Sequence, residues 1–144
     1  MSDNRHAGTA VSVEPCSDVA LLSALFLELA EDEGSDIPRT AEKAAEEMED
    51  YLRRGEKAYI FRVCGEIAGY ALVILKRTPP YLHHFHICRE KRRKGYGTAA
   101  FKTLIETLDI KTMDLDVFDW NERGKSFWRS LGFKPRAVIM RYAK

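Results

Sequence analysis

Apolar residues recur with a helical period in the first third of the chain. Between Val19 and Leu29 the apolar positions are three or four residues apart, as on one face of an α-helix. A second, more polar helix is predicted from Ala41 to about Arg54, because Thr40 can cap its N-terminus and Gly55 can end it. The N-terminal part of the chain is therefore predicted to contain one amphipathic helix and one more exposed helix.

Two further helices are predicted in the C-terminal half. One opens at Asn121 or Glu122 and ends at Gly132. The other begins at Thr98, after a pair of glycines, and repeats apolar residues at helical spacing. Its apolar face consists of Phe101, Leu104, Ile105 and Leu108.

Six segments rich in aromatic and β-branched residues predict β-strands. They run from Val11 to Glu14, Lys57 to Val63, Ile67 to Leu75, Tyr81 to Cys88, Thr112 to Phe118 and Ala137 to Tyr142. The Cys64-Gly65-Glu66 link predicts a hairpin. Strands and helices together predict an α/β (α+β) fold in one domain over residues 11–144, after a disordered leader over residues 1–10.

The composition narrows the function classes. The 144 residues are 45% hydrophobic and carry a net charge of +1, so bulk charge indicates neither a nucleic-acid nor a membrane partner. The longest apolar run is too short to span a bilayer, and no apolar signal core follows the N-terminus. Three widely spaced cysteines favour a reducing compartment, so we expect a cytoplasmic protein.

A strand, a basic loop with two glycines and a helix follow one another in the middle of the chain. The N-terminus of a helix has unpaired N–H groups and partial positive charge, and Gly95 and Gly97 would let a diphosphate approach them. Arg92, Arg93 and Lys94 would add charge-assisted contacts. The same pattern is compatible with a plain turn and basic loop, with a dinucleotide fingerprint, or with nucleic-acid binding.

Two segments carry a family resemblance. Arg92-x-x-Gly95-x-Gly97, after a strand and before a helix, resembles the acetyl-CoA signature of the GNAT acyltransferase superfamily. The segment from Asn121 to Phe133 resembles the second signature of that superfamily. The resemblance implies a mixed, mostly antiparallel sheet of six or seven strands flanked by about four helices. It also implies an acetyl-CoA-dependent N-acetyltransferase without a metal.

The resemblance further implies which residues bind acetyl-CoA. The sheet would splay between its fourth and fifth strands, and pantetheine would pair with the backbone of Phe85, His86 and Ile87. The pyrophosphate would lie against Arg92, Arg93, Lys94, Gly95, Tyr96, Gly97 and Thr98. The C-terminal residues expected at the cofactor are Asn121, Lys125, Trp128 and Arg129.

Three histidines on the fourth predicted strand are candidates for proton transfer. Histidine titrates in the useful range, and acyl transfer to an amine requires removal of a proton. Strand alternation predicts His83 on the face of Phe85 and Ile87, and His84 on the face of Leu82. His83 is the favoured base and His84 the second candidate. Structural histidines, or a metal site of His84, His86 and Cys88, are the alternatives.

Trp128 departs from the resemblance. The family usually has a tyrosine at this position, which acts as general acid toward the thiolate. Two functions therefore stay open: an N-acetyltransferase without the usual acid, or an acyl-CoA-binding or sensing module with little catalysis.

The acceptor and the oligomeric state are less constrained. Acidic residues around the end of the first helix would attract a cationic, polyamine-like amine. They are Glu28, Glu31, Asp32, Glu33 and Asp36. The apolar segment from Ala137 to Tyr142 would permit a homodimer.

Overall fold

A five-stranded sheet forms the centre of the computed structural model, which describes residues 10–144. The strands are β1 (Ser12–Cys16), β2 (Lys57–Val63), β3 (Glu66–Ile74), β4 (Tyr81–Ile87) and β5 (Asp114–Leu115). They lie in chain order: β1 to β4 are antiparallel, and β5 runs parallel to β4. The predicted disordered leader lies outside the described residues except for Ala10.

Four α-helices flank the sheet, as predicted. They are α1 (Val19–Glu33), α2 (Ala41–Arg53), α3 (Tyr96–Thr107) and α4 (Glu122–Ser130). Asp18 accepts a hydrogen bond from Leu21 N at 3.2 Å, and Gly34 ends α1 in the left-handed conformation. Thr40 caps α2 in the same way. Within residues 10–144 no helix is both long and apolar enough to cross a membrane.

The two faces of the sheet carry separate apolar cores, because alternate residues of β2 and β3 point in opposite directions. On one face Phe61 and Val73 pack with Phe101 and Leu104 of α3. On the other face Ile60, Tyr70 and Leu72 pack with α1 and α2, including Leu22 and Met48. The sheet is thus a central layer between α3 and the α1–α2 pair.

The C-terminal elements differ from the prediction. The sheet has five strands, not six or seven, because the segment from Ala137 to Tyr142 forms no strand. β5 is only Asp114–Leu115, whereas a strand was predicted from Thr112 to Phe118. A β-type sequence pattern gives a segment the propensity for a strand, but the strand forms only where it can pair with a neighbouring strand. β5 pairs with β4 at only two positions. In addition, α3 begins two residues before Thr98.

Candidate active site

A β-bulge in β4 sets the arrangement of the histidines. Leu72 of β3 pairs with His84 and Val73 pairs with Leu82, so His83 is the extra residue of the bulge. The predicted alternation is therefore wrong at this point. Leu82 packs into the α3-side core, whereas the His84 ring stacks on Phe26 at 4.4 Å.

The outer edge of β4 is open along most of its length. β5 pairs only with Tyr81 and Leu82, so within residues 10–144 no strand lies beside the backbone from His83 to Ile87 on that edge. The short pairing of β4 with β5 is compatible with the splay between the fourth and fifth strands that the family resemblance implies. An extended chain could pair along this edge with the outward-facing backbone of Phe85 and with the N–H of Ile87, whose carbonyl already accepts a hydrogen bond from Arg92.

His83 forms a hydrogen-bonded pair with Glu56. Its Nδ1 lies 2.7 Å from Glu56 Oε1, and Glu56 is buried just before β2. A hydrogen bond from Nδ1–H to a carboxylate fixes the tautomer in which Nε2 carries the free lone pair. Tyr51 holds the ring from the side, with its own ring centroid 4.7 Å away. His83 is consequently oriented to accept a proton at Nε2.

His84 is enclosed by aromatic rings. Its Nδ1 lies 2.9 Å from the Tyr70 hydroxyl, and Phe26 and Tyr51 pack against its ring. Burial lowers the pKa of His84 well below its usual range, and the neighbouring His83 adds to this effect. A neutral, buried imidazole is a weak base, so the geometry favours His83 over His84.

His86 is bound to α1. Its Nε2 lies 2.8 Å from Glu28 Oε1, and its side chain is buried. Burial lowers the pKa of His86, although the Glu28 carboxylate opposes this shift. Glu28, His86 and Cys88 place their donor atoms within 4.8 Å of one another. Glu28 also accepts a hydrogen bond from the Arg89 backbone N–H at 3.1 Å. The side chain of His86 is thus held by structural contacts, and its backbone pairs with Tyr70 of β3 rather than facing the open edge.

The N-terminus of α3 faces the region beside β4. Gly95 is the N-cap in the left-handed conformation at φ 78°, and no side chain caps the helix. The first N–H groups, including those of Tyr96 and Thr98, therefore lack intrahelical partners. Gly97 lies against α4, because a Cβ there would meet the Phe127 ring at 3.2 Å. The two glycines thus have different roles, one in conformation and one in close packing.

The three basic residues before α3 are not equivalent. Arg92 donates to the Ile87 carbonyl at 2.9 Å and pairs with Asp32, so its guanidinium connects the loop to β4 and α1. Arg93 and Lys94 are exposed, and neither pairs with an acidic residue in the described part of the chain. These two side chains are available to an anion at the helix terminus.

The predicted cofactor residues of α4 also make local contacts. Asn121 is the N-cap, and its Oδ1 accepts a hydrogen bond from Gly124 N at 3.0 Å. Lys125 pairs with Asp119 at 2.9 Å and with Glu122 at 3.5 Å. Arg129 is exposed. Of these three, only Arg129 is free of an ion pair or capping contact in residues 10–144.

Trp128 belongs to an aromatic cluster between β4, α3 and α4. Its ring lies 5.2 Å from Phe85, 5.7 Å from Phe101 and 5.2 Å from Phe133. Indole nitrogen is only a donor and does not titrate in the range where a tyrosine or thiol does. Trp128 therefore contributes packing, and it cannot perform the proton transfer that a tyrosine would.

A shallow cleft of about 560 Å³ separates the end of α1 from the start of α4. It is lined by Glu31–Gly34 and by 120–123, and the Trp120 indole donates to the Gly34 carbonyl at 3.1 Å. Arg89 and Arg92 engage Asp32, and Arg89 also engages Glu31. Burial raises the pKa of Glu33 to about 7, against the opposing effect of Arg39. Glu33 is thus the carboxyl group of this cleft that changes its charge near neutral pH.

The sequence matches the model of the acetyltransferase (GNAT) family over residues 22–133. The chain belongs to the GNAT family. This membership supports acyl transfer as the general reaction. A search of curated proteins found no match to the sequence.

Solved structures of GNAT proteins share the fold. An acetyltransferase from Thermus thermophilus aligns with a TM-score of 0.71 at 19% identity, covering 87% of each chain. A possible acetyltransferase from Clostridium difficile 630 also aligns at 0.71 and 19% identity, covering 94% of this chain and 97% of its own. A ribosomal-protein-alanine N-acetyltransferase from Brucella melitensis aligns at 0.63 and 17% identity, covering 92% and 100%.

Sequence reasoning missed one residue of this candidate site and did not single out another. Glu56 precedes a strand and shows no motif, so only the fold reveals its contact with His83. Glu33 appeared only as one of several acidic residues, and its burial distinguishes it from the others. The predicted strand, glycine loop and helix unit does bring the β4 edge, Gly95 and Gly97 to one side of the molecule.

Proposed function

We propose that this GNAT protein transfers an acetyl group from acetyl-CoA to a primary amine, and that the preferred acceptor is a small cationic amine. The observation that carries the proposal is a continuous path. It runs from the uncapped N-terminus of α3, along the open backbone edge of β4, to the His83–Glu56 pair at the bulge.

The residues present fit acetyl-CoA at both ends of this path. The free N–H groups of α3, with exposed Arg93 and Lys94, suit a diphosphate, and left-handed Gly95 keeps side-chain atoms away from it. The N–H and C=O groups of Phe85 and the N–H of Ile87, on the edge of β4 away from β3, suit an amide-containing pantetheine arm. Bound acetyl-CoA would supply an activated acyl carbon as a thioester.

His83 would handle the proton of the acceptor. An alkylammonium is not nucleophilic, so its proton must leave before nitrogen attacks the acyl carbon. In the tautomer that Glu56 favours, Nε2 of His83 carries the free lone pair and can accept this proton. The bulged His83 has no opposite residue in the β3–β4 register, and we propose its backbone N–H as the donor to a developing oxyanion.

Glu33 and Trp120 support a cationic acceptor. Glu33 becomes charged near neutral pH, and the exposed indole of Trp120 stacks on Phe118 at 4.8 Å. Both residues line the same cleft, and a carboxylate and an aromatic face are two groups that attract an ammonium ion. The other acidic residues contribute less, because arginines already engage Glu31 and Asp32.

A second function is favoured by Trp128. Because this residue cannot protonate a leaving thiolate, an acyl-CoA-binding or sensing module with little turnover is the competing proposal. Cytoplasmic location is part of both proposals and rests on Cys16, Cys64 and Cys88, which are free thiols in the structure.

Calorimetric titration with acetyl-CoA, with NADH as the control ligand, is the first experiment. We expect saturable micromolar binding of acetyl-CoA and none of NADH. An Arg93→Ala/Lys94→Ala variant should bind more weakly, whereas Lys43→Ala, on exposed α2, should bind as the wild type. NADH binding, or no acetyl-CoA binding, would overturn the proposal.

Thiol release in the presence of an amine panel then separates the two functions. We expect turnover with diamines and polyamines, and slower turnover with neutral amines of similar size. Tight acetyl-CoA binding without acetylation of any amine would favour the binding module instead. Equal turnover of neutral and cationic amines would contradict the proposal of a cationic acceptor but would still support acyl transfer as the reaction.

A further inference from the structure

Three side chains with metal-binding atoms meet where the end of β4 packs against α1. Glu28 belongs to α1, His86 belongs to β4, and Cys88 follows β4 directly. One donor atom from each of these side chains lies within 4.8 Å of the donor atoms of the other two. The shortest of these contacts is the 2.8 Å distance between His86 Nε2 and Glu28 Oε1. A nitrogen, an oxygen and a sulfur donor therefore converge from two separate elements.

The group differs from the one that strand alternation predicts, which is His84 with His86 and Cys88. In the structure His84 Nδ1 bonds to the Tyr70 hydroxyl at 2.9 Å, and the ring of His84 stacks on an aromatic side chain of α1. His84 is consequently not one of the converging residues. Glu28 takes its place, so the complete set of donors is visible only in the folded chain.

A tetrahedral zinc ion could occupy this point after small side-chain movements. Zinc binds sulfur at about 2.3 Å and nitrogen or oxygen at about 2.0–2.2 Å, which separates neighbouring donor atoms by about 3.3–3.8 Å. The Nε2–Oε1 distance would have to widen, and donor atoms up to 4.8 Å apart would have to approach by about 1 Å. Glu28 and Cys88 are both partly exposed, so rotation of their side chains can supply these movements.

The charges at this point suit a divalent cation. A carboxylate and a thiolate with a neutral imidazole balance the charge of Zn²⁺, and the ion displaces the thiol proton to solvent. The nearby Arg89 and Arg92 are already paired with acidic residues of α1. His86 Nδ1 lies 4.0 Å from Asp32 Oδ2, and a carboxylate behind a metal-binding histidine is its usual orienting partner. Thiolate and imidazole donors favour zinc over magnesium or calcium.

We propose that Glu28, His86 and Cys88 bind one Zn²⁺ ion that joins α1 to the end of β4. The Arg89 N–H donates to Glu28, and the Cys88 carbonyl accepts from the Lys91 N–H at 2.9 Å. The ion would therefore also fix the start of the loop that leads to α3. Its role is structural and it takes no part in the proposed acyl transfer, so zinc binding can be tested independently of that reaction.

Titration of the untagged, metal-free full chain with Co²⁺ tests the coordination. Co²⁺ can replace zinc, and a cobalt–thiolate bond gives a charge-transfer band in the near ultraviolet. We expect this band to saturate at one Co²⁺ per chain and to disappear when Zn²⁺ is added. Cys88→Ser should abolish the band, whereas Cys64→Ser, which removes an exposed thiol in the β2–β3 turn, should retain it. A band that persists in Cys88→Ser, or is lost in Cys64→Ser, would overturn the proposal.

Competition with a chromophoric zinc chelator measures the affinity. We expect Cys88→Ser and Glu28→Gln each to weaken zinc binding at least about a hundredfold, because even an outer-shell partner contributes about 10- to 100-fold. Glu46→Gln, on the exposed face of α2, is the matched control for the carboxylate and should bind as the wild type. Circular dichroism of the metal-free variants checks that both remain folded. Wild-type affinity no higher than that of Cys88→Ser would mean that Glu28 and His86 form an ordinary hydrogen bond, and would overturn the proposal.

Discussion

The regions before and after Leu104 differ in how completely they are packed. Up to Leu104 the sheet has a core on each face, and side chains such as Phe61 and Tyr70 are fully buried. Of the residues that the structure describes, none after Leu104 is buried, although this region contains Phe127, Trp128 and the apolar C-terminal segment.

The difference shows which part of the fold is self-sufficient. Apolar surface that stays exposed in the isolated chain is stabilised only when something else covers it. The open edge of β4 belongs to the first region, but it lies beside the thinly packed α4 of the second region. We have proposed that acetyl-CoA covers this edge. The following predictions test this division of the molecule.

The largest expected effect concerns His83, which lies in the well-packed region. We expect His83→Ala to lower kcat about 10²- to 10⁴-fold, as for loss of a general base. Glu56→Gln should cause a smaller loss, about tenfold, because the tautomer would no longer be fixed. Initial rates with a saturating cationic amine measure both. Acetyl-CoA affinity should not change in either variant, and full turnover of His83→Ala across pH would remove this residue from the mechanism.

Substituting one phenylalanine in each region compares the packing of the two regions directly. Phe61→Ala creates a cavity in the α3-side core and should lower the free energy of unfolding by about 3–5 kcal/mol. Phe127→Ala should cost no more than about half of that, because its ring is only partly buried without a ligand. Urea unfolding at one fixed protein concentration measures both values. Equal losses would contradict the comparison between the regions.

The last prediction is a pH dependence of stability at Glu33. Its pKa is about 7 in the folded chain and near 4.5 in the unfolded chain, so the folded state binds the extra proton between these values. Stability from this group is therefore present at low pH and is lost as pH rises from about 4.5 to 7.

A neutral substitution isolates this effect. Glu33→Gln should match the wild type at about pH 4 and exceed its stability at pH 8, as measured by thermal unfolding. Glu46→Gln, at an exposed position of α2 with no partner among the described residues, is the control. A stability difference between Glu33→Gln and the wild type that does not vary with pH would contradict the assigned shift.

Regular elements were predicted well where the local pattern is strong. Thr40 and Gly34 mark helix ends through contacts within a few residues, so the sequence contains the information. The hairpin of β2 and β3 formed as expected for the same reason. The strand predicted from Ala137 to Tyr142 does not form in the structure. Its formation depends on pairing with a strand edge that is distant in the sequence, which the local pattern does not determine.

The candidate active site likewise combines features that depend on local sequence with features that depend on tertiary contacts. The sequence alone determined the order of strand, glycine loop and helix, because turn and capping chemistry are local. Only the tertiary structure decided that His83 occupies a bulge, that Glu56 lies 2.7 Å from it, and that burial raises the pKa of Glu33. The physical reason is that register shifts, ion pairs and desolvation arise between segments far apart in the chain.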